Sequence, residues 1–393
     1  MTSSRRFLPS SADLPDIEQR KPDMAPKPNL MLPSDRFKLG IFSANCSGGM
    51  SITKVPERWQ ATWDDNLKLA QMADEAGLDF LLPVARWIGF PGDEVDFMKS
   101  VLETTTWAAG LLASTKNISV ISTIHTAANN PVVVAKQLAT LDQIGHGRAG
   151  VNIVAGWFKP EYEALGLDLP SEHTVRYAYA QEWLDIILKL WTSEERFDWD
   201  GTYFKLKDVH SDPKPYRGTM PILNAAGSKE GRGFAVRNAN YLFTPAIDLA
   251  RSIDEIKQIK ELAATEQKRV DVVTFSHCVC RATEQEALDY YKYYVGESDW
   301  GAVDYVVNMQ FATAQSFPHD LLAMIKERMA SGHGGFPLIG SPTQIADGIE
   351  SLYKAGFAGT TLSFVNYVDE FPFFAEHVLP LLEQRGIRTV RPS

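Results

Sequence analysis

From Phe37 onward one pattern recurs: a short β-forming run, an amphipathic helix, then another short run. Eight such runs are legible: FKLGIFS, LDFLLPV, ISVIST, GVNIV, PILNAAG, YLFTP, VVTFSHCVC and TTLSFV. The segment ERWQATWDDNLKLAQMADEAG spaces Trp59, Trp63, Leu67, Ala70 and Ala73 by three and four, which predicts a helix ended by Gly77. Asn130-Pro131 supplies an N-cap and a first-turn proline for VVVAKQLATLDQIG. Ser341-Pro342-Thr343-Gln344 is a capping box ahead of IADGIESLYKAG. Further helices are expected in SVLETTTWAAGLLAST, TVRYAYAQEWLDIILKLW, KEGRGFAVRNA, SIDEIKQIKELAATEQ, TEQEALDYYKYYV and FPFFAEHVLPLLEQRG.

Strands alternating with helices demand parallel pairing, because each helix carries the chain back to the same end of the sheet. A doubly wound sheet would want a glycine-rich fingerprint after the first strand, and Cys46-Ser47-Gly48-Gly49 matches it poorly. The expected fold is therefore a (β/α)8 TIM barrel, an α/β protein of one catalytic domain spanning 37–393. FDWDGTYFKLKD reads as a hairpin around Asp200-Gly201. Residues 295–337 lack a clear period and read as an inserted excursion containing the short helix HDLLAMIKERMA. Residues 1–36, rich in Pro, Ser and charge, read as an extended arm.

Composition excludes several classes of function. The formal charge of −10 is spread along the chain, with no basic stripe for nucleic acid. No apolar run approaches the ~18 residues of a membrane span. Arg5 and Arg6 are followed by no signal-peptide core. Cys46, Cys278 and Cys280 are too few for a disulfide framework and fit a reducing cytoplasm, the expected location. His277-Cys278-Val279-Cys280 alternates as a strand does, and the paired spacing of zinc motifs is missing.

Barrel enzymes carry their chemistry at the C-terminal ends of the strands. Residues there that a core would not choose are Asn45 and Cys46, Arg86 and Trp87, Thr123 and His125, Asn152, Trp157 and Glu161, and Ser228. Asn152 interrupts an apolar strand, so its amide is expected in the barrel mouth with Trp157 above it. Ala226-Gly227-Ser228 opening the helix from Lys229 is a candidate anion nest, suited to a phosphorylated planar cofactor. No pair of carboxylates occupies two strand ends as in a glycosidase, and no nucleophile elbow is present.

Several segments together resemble the bacterial-luciferase-like flavin monooxygenases from Phe37 to Gly386. They are NNPVVVAKQLATLDQIGHGRAGVNIVAGWFKPEYEALG, VRYAYAQEWL, WDGTYFKLKD with DPKP, ILNAAGSKEG, GSPTQIADGI and HVLPLL. Within that family the likeness is to pyrimidine monooxygenases and dimethylsulfone monooxygenases. The resemblance implies reduced FMN delivered by a separate NAD(P)H flavin reductase, molecular oxygen as co-substrate, and a homo-oligomer, dimer or tetramer. It implies oxidation and cleavage of a small sulfur-, nitrogen- or halogen-containing molecule, heterocycles included. Positions matching the family's flavin contacts are Ala85, Arg86, Asn152, Glu161, Arg176, Tyr177 and Ser228. Those matching its oxygen pocket, where catalysis is expected, are Leu82, Thr123, Asn152 and Trp157. Arg86 stands where the pyrimidine enzymes carry lysine, which keeps the charge and changes the hydrogen-bond geometry. The basic cluster of alkanesulfonate enzymes is not evident. Reaction of oxygen at flavin N5 and the usual peroxyflavin route stay open. So do two rivals, a deazaflavin-dependent dehydrogenase on the same barrel and a non-catalytic flavin-binding protein.

Overall fold

The computed structural model describes residues 29–32, 34, 36–311 and 318–389. The first half runs β1 (Lys38–Phe42), α1 (Trp63–Glu75), β2 (Phe80–Leu82), α2 (Thr104–Ser114), β3 (Ser119–His125), α3 (Pro131–Ile144), β4 (Ala149–Val154), α4 (Lys159–Ala164) and α5 (His173–Thr192). A hairpin of β5 (Phe197–Asp200) and β6 (Lys205–Val209) follows. Next come β7 (Ile222–Ala225), α6 (Lys229–Asn238), β8 (Tyr241–Phe243), α7 (Leu249–Thr265), β9 (Asp271–Cys280) and α8 (Glu284–Gly296). The chain then forms α9 (Trp300–Gln310), α10 (His319–Gly332), β10 (Phe336–Gly340), α11 (Pro342–Lys354), β11 (Gly359–Ser363), α12 (Tyr367–His377) and α13 (Leu379–Gln384).

Eight parallel strands close in the order β1-β2-β3-β4-β7-β8-β9-β11, with β11 returning to β1. This is the expected (β/α)8 barrel. The period-two alternation of each strand sorts its side chains between two cores. Leu39, Ile41, Leu81, Val120, Ile124, Val151, Ile153, Leu242 and Val272 face the helices. Their neighbours Phe80, Leu82, Ile121, Leu223, Tyr241, Phe243, Val273 and Phe275 fill the barrel. Asn152, between Val151 and Ile153, therefore faces inward.

The helix starts follow their caps. Asn130 accepts from the Val132 N–H with Pro131 in the first turn, and Ser341 and Gln344 form the capping box. The first helix begins later than its periodicity suggested. Thr62 is its N-cap, and Trp59 instead sits buried in the preceding turn, its Nε1 donating to Ala44 O at 2.7 Å. The last expected helix is two, because Pro380 has no N–H to return to the preceding turn.

The excursion holds more structure than its sequence announced. The α9 helix and the strand β10, paired to the C-terminal half of β9, were not expected. With α10, α9 places Ala302, Val303, Val306, Val307, Met329 and Ala330 against the barrel-filling core. At the opposite end, Met31 is fully buried in that core, and Asn29 donates to Gly147 O and Ala149 O at 3.1 and 2.9 Å. Residues 1–28 of the expected arm, and 312–317 within the excursion, lie outside the described residues. No helix among the described residues is long and apolar enough to cross a membrane.

Candidate active site

The parallel register sets Thr123 of β3 beside Asn152 of β4. Asn152 Nδ2 donates to Thr123 Oγ1 at 3.3 Å, and Thr123 Oγ1 donates to Pro83 O at 2.6 Å. The Thr123 carbonyl accepts from Thr104 Oγ1 at 2.8 Å, which pins this strand end to the start of α2. Leu82, 1% exposed, fills the barrel on the neighbouring strand. Asn152 Oδ1 is buried and has no hydrogen-bond partner.

The turn after β4 carries the next group. Gly156 has φ +99°, and a Cβ there would lie 2.2 Å from the Tyr162 hydroxyl, so only glycine permits the bend. The bend presents Trp157, 38% exposed, and tucks Phe158 into the core. One residue further, the short α4 carries Glu161 in its first turn, where a carboxylate suits the positive helix end. Glu161 is fully buried. Its Oε1 accepts from the Trp87 N–H at 2.6 Å, and its Oε2 lies 3.5 Å from Arg86 Nη1 and 3.5 Å from His125 Nδ1.

Arg86 is buried too, and burial pushes its guanidinium down from its usual range while Glu161 opposes that shift. Its guanidinium carbon lies 4.7 Å from the centre of the Phe90 ring, 5.0 Å from Phe158 and 5.4 Å from Trp157. These are cation–π distances. His125 is held to about 3 by burial and by Arg86, so it is neutral at ordinary pH. Ala85, Arg86, Thr104, Thr123 and His125 line one small cavity. Among the buried groups, the Arg86 cation meets the Glu161 carboxylate, and the His125 imidazole beside them is neutral.

A second group lies between α5 and α6. Ser228 caps α6, its Oγ accepting from Gly231 N at 3.1 Å. The Tyr177 ring packs on Phe234, and a Cβ on Gly231 would meet its hydroxyl at 2.4 Å. Burial raises the Tyr177 pKa, opposed first by the charge of Arg176 and then by the nearby Asn224 and Ser228 side chains. Arg176 instead turns to the start of its own helix, donating to Pro170 O and lying 3.0 Å from His173 Nδ1. Its Nε stays without a partner. The structure thus brings together Leu82, Ala85, Arg86, Thr123, Asn152, Trp157 and Glu161 in one cluster, and Tyr177 and Ser228 in another. Arg176 directs its hydrogen bonds to Pro170 and His173 and acts on Tyr177 through its charge.

Three strand-end residues have other roles or were missed. Asn45 spends its amide on Val84 and Leu102, bonding Val84 N, Val84 O and Leu102 O, and so ties loops together. Cys46 is buried beside it, its thiol pushed up to about 12. Asn224 was overlooked: fully buried, it donates to Ile153 O at 2.7 Å and leaves Oδ1 unpartnered. An amide in a run as apolar as PILNAAG was the available signal. The rings of Phe42, Phe243 and Phe275, 5.1–5.7 Å apart, also went unmarked, since each reads as ordinary core. So did His333, whose ring lies 5.7 Å from Phe97. Among the described residues no cluster of His, Cys, Asp and Glu has the make-up of a metal site.

The luciferase-like monooxygenase family model matches residues 37–359. An FMNH2-dependent dimethylsulfone monooxygenase of Pseudomonas putida is 30% identical over 89% of this chain and 96% of its own length. The pyrimidine monooxygenase RutA of Acinetobacter baylyi is 28% identical over 89% of this chain and 95% of its own. Among solved structures, a riboflavin lyase with modified FMN and riboflavin superposes with a TM-score of 0.79 at 22% identity, covering 90% of this chain and 93% of that one. That likeness speaks for the fold alone. On the extent of the family match and the identity to full-length relatives, the chain belongs to the luciferase-like monooxygenases.

Proposed function

We propose that this chain is the oxygenase of a two-component system, taking reduced FMN from a separate reductase to oxidise a small, uncharged organic molecule. The observation that carries the reading is the strand-end cluster, where buried Asn152 Oδ1 and Arg86 Nε both lack a partner and Glu161 pairs with Arg86. The residues fit a flavin. Buried Asn152 Oδ1, Asn224 Oδ1, Arg86 Nε and Arg176 Nε lack partners in the protein, and unpaired buried polar atoms are costly unless a ligand satisfies them. Ser228, Tyr177 and the start of α6 would hold the phosphate, and Arg86, Glu161 and Asn152 the ring system. The names of the relatives support the same cofactor.

When bound, reduced FMN supplies the electrons that activate oxygen. The protein positions the reactants and excludes water, which α9 and α10 do by packing against the barrel-filling core. Leu82, Thr123, Asn152 and Trp157 bound the place for oxygen. Phe42, Phe90, Trp157, Phe243 and Phe275 offer ring faces to a substrate, and Glu161 cancels the charge of Arg86. Such a mouth favours heterocyclic or aromatic molecules and sulfones over sulfonates and carboxylates.

Supplying the protein with a flavin reductase, NADH, FMN and oxygen, and screening pyrimidines, sulfones and halogenated aromatics against sulfonates and aminopolycarboxylates, tests this. The neutral compounds should be consumed and the anions spared, with NADH alone inactive. Preference for anions would overturn the substrate class, and turnover without oxygen would point to hydride transfer.

A further inference from the structure

The carbonyl of Pro83, just past β2, can only accept. Thr123 Oγ1 lies 2.6 Å from it and has a single proton, so that proton is committed to Pro83. Toward Asn152, 3.3 Å away, Thr123 then offers lone pairs alone. The amide must turn Nδ2 to Thr123, which aims Oδ1 the other way. Oδ1 is buried without a partner, in a residue 4% exposed. A proline carbonyl two hydrogen bonds away thus locks the polarity of the one amide facing the barrel interior on this strand. The site holds an acceptor that a ligand N–H relieves and a ligand lone pair aggravates.

We propose that Asn152, oriented by Thr123, selects the reduced flavin over the oxidised one; this rests on the FMN reading above. Reduction of the flavin ring places a hydrogen on N5, which in the oxidised ring carries a lone pair. An acceptor toward that edge attracts the reduced form and repels the oxidised form. A protein fed by a separate reductase has to capture one redox state and release the other. The locked amide does this with no change of conformation. Thr123 is the positioning residue, and Asn152 makes the contact.

The test is anaerobic titration of the full-length protein with FMN and with FMNH2, in wild type, Asn152→Leu and Thr123→Val. Wild type should bind FMNH2 more tightly. Asn152→Leu should narrow the ratio of affinities by roughly tenfold, the scale of one hydrogen bond, through weaker FMNH2 binding. Thr123→Val keeps the side-chain shape but frees the amide to rotate, and should narrow the ratio in the same direction. If Asn152→Leu does not fold, Thr123→Val decides alone. A purely structural pair would weaken both forms equally, and an unchanged ratio overturns the proposal. Failure of the folded wild type to bind either flavin overturns the flavin reading, and this inference with it.

Discussion

Replacing Glu161 by Gln removes one charge and almost no volume. The amide oxygen can still accept from the Trp87 N–H, so the bond at 2.6 Å survives. What disappears is the anion 3.5 Å from Arg86 Nη1, in a pair whose side chains are 5% and 0% exposed. Breaking a buried ion pair costs about 3–5 kcal/mol, because the remaining charge is stranded. Here the ring faces of Phe90, Trp157 and Phe158 soften the loss, each by about 0.5–1 kcal/mol. The net destabilisation should be about 1–3 kcal/mol, read from denaturant unfolding of wild type, Glu161→Gln, Arg86→Met and the double variant. Arg86→Met/Glu161→Gln leaves no stranded charge and should recover at least half of the loss. A Glu161→Gln protein within about 0.5 kcal/mol of wild type would refute the reasoning, since surface-like changes have that size. So would a double variant whose losses simply add.

Further outcomes follow from the same geometry. Ser228→Asp keeps the N-cap of α6, since Asp caps as well as Ser, yet sets a like charge where the phosphate would sit. Flavin affinity should fall by about 1–3 kcal/mol in equilibrium titration, and an unchanged affinity would remove Ser228 from the site. Gly231→Ala would push its Cβ to 2.4 Å from the Tyr177 hydroxyl, so flavin binding should weaken while the melting temperature changes less than for Glu161→Gln. His277, pushed down to about 3 by burial, binds its proton in the unfolded chain well before it does in the folded one. Its contribution to stability is complete above about pH 6.5 and is lost as pH falls toward 3, by about 1.4 kcal/mol per unit. Unfolding measured from pH 7 to pH 5 should show a slope shallower by that amount in His277→Asn, the share owed to His125 and His333 remaining.

Most of the barrel was legible because its signals are local. Period-two runs mark the strands, and the caps at Asn130 and Ser341 mark the helix starts. Even the inward aim of Asn152 follows from alternation alone. The strand β10 was hidden because Pro337 interrupts a short run after two glycines, and its stability comes from pairing with β9. Trp59 fits the periodicity of α1 by coincidence, while its real partners are Ala44 and Val365, far along the chain. In the site, individual strand-end residues could be nominated, but their pairings could not. That Glu161 neutralises Arg86, that Asn45 only ties loops, and that Pro83 sets the polarity of Asn152 depend on distances between separate strands and turns. Asn224 escaped because alternation puts it on the side of Ile222, toward the helices, and not with Leu223 in the barrel interior.

On the proposed function, this barrel mouth uses reduced flavin to put an oxygen atom from O2 into an uncharged substrate. Mixing the FMNH2-loaded protein with ¹⁸O2 and a substrate found in the screen, then weighing the product by mass spectrometry, tests it most directly. One ¹⁸O atom per product molecule is expected, and no product when oxygen is withheld. Product carrying oxygen from water alone, or formed in full yield without oxygen, would contradict it.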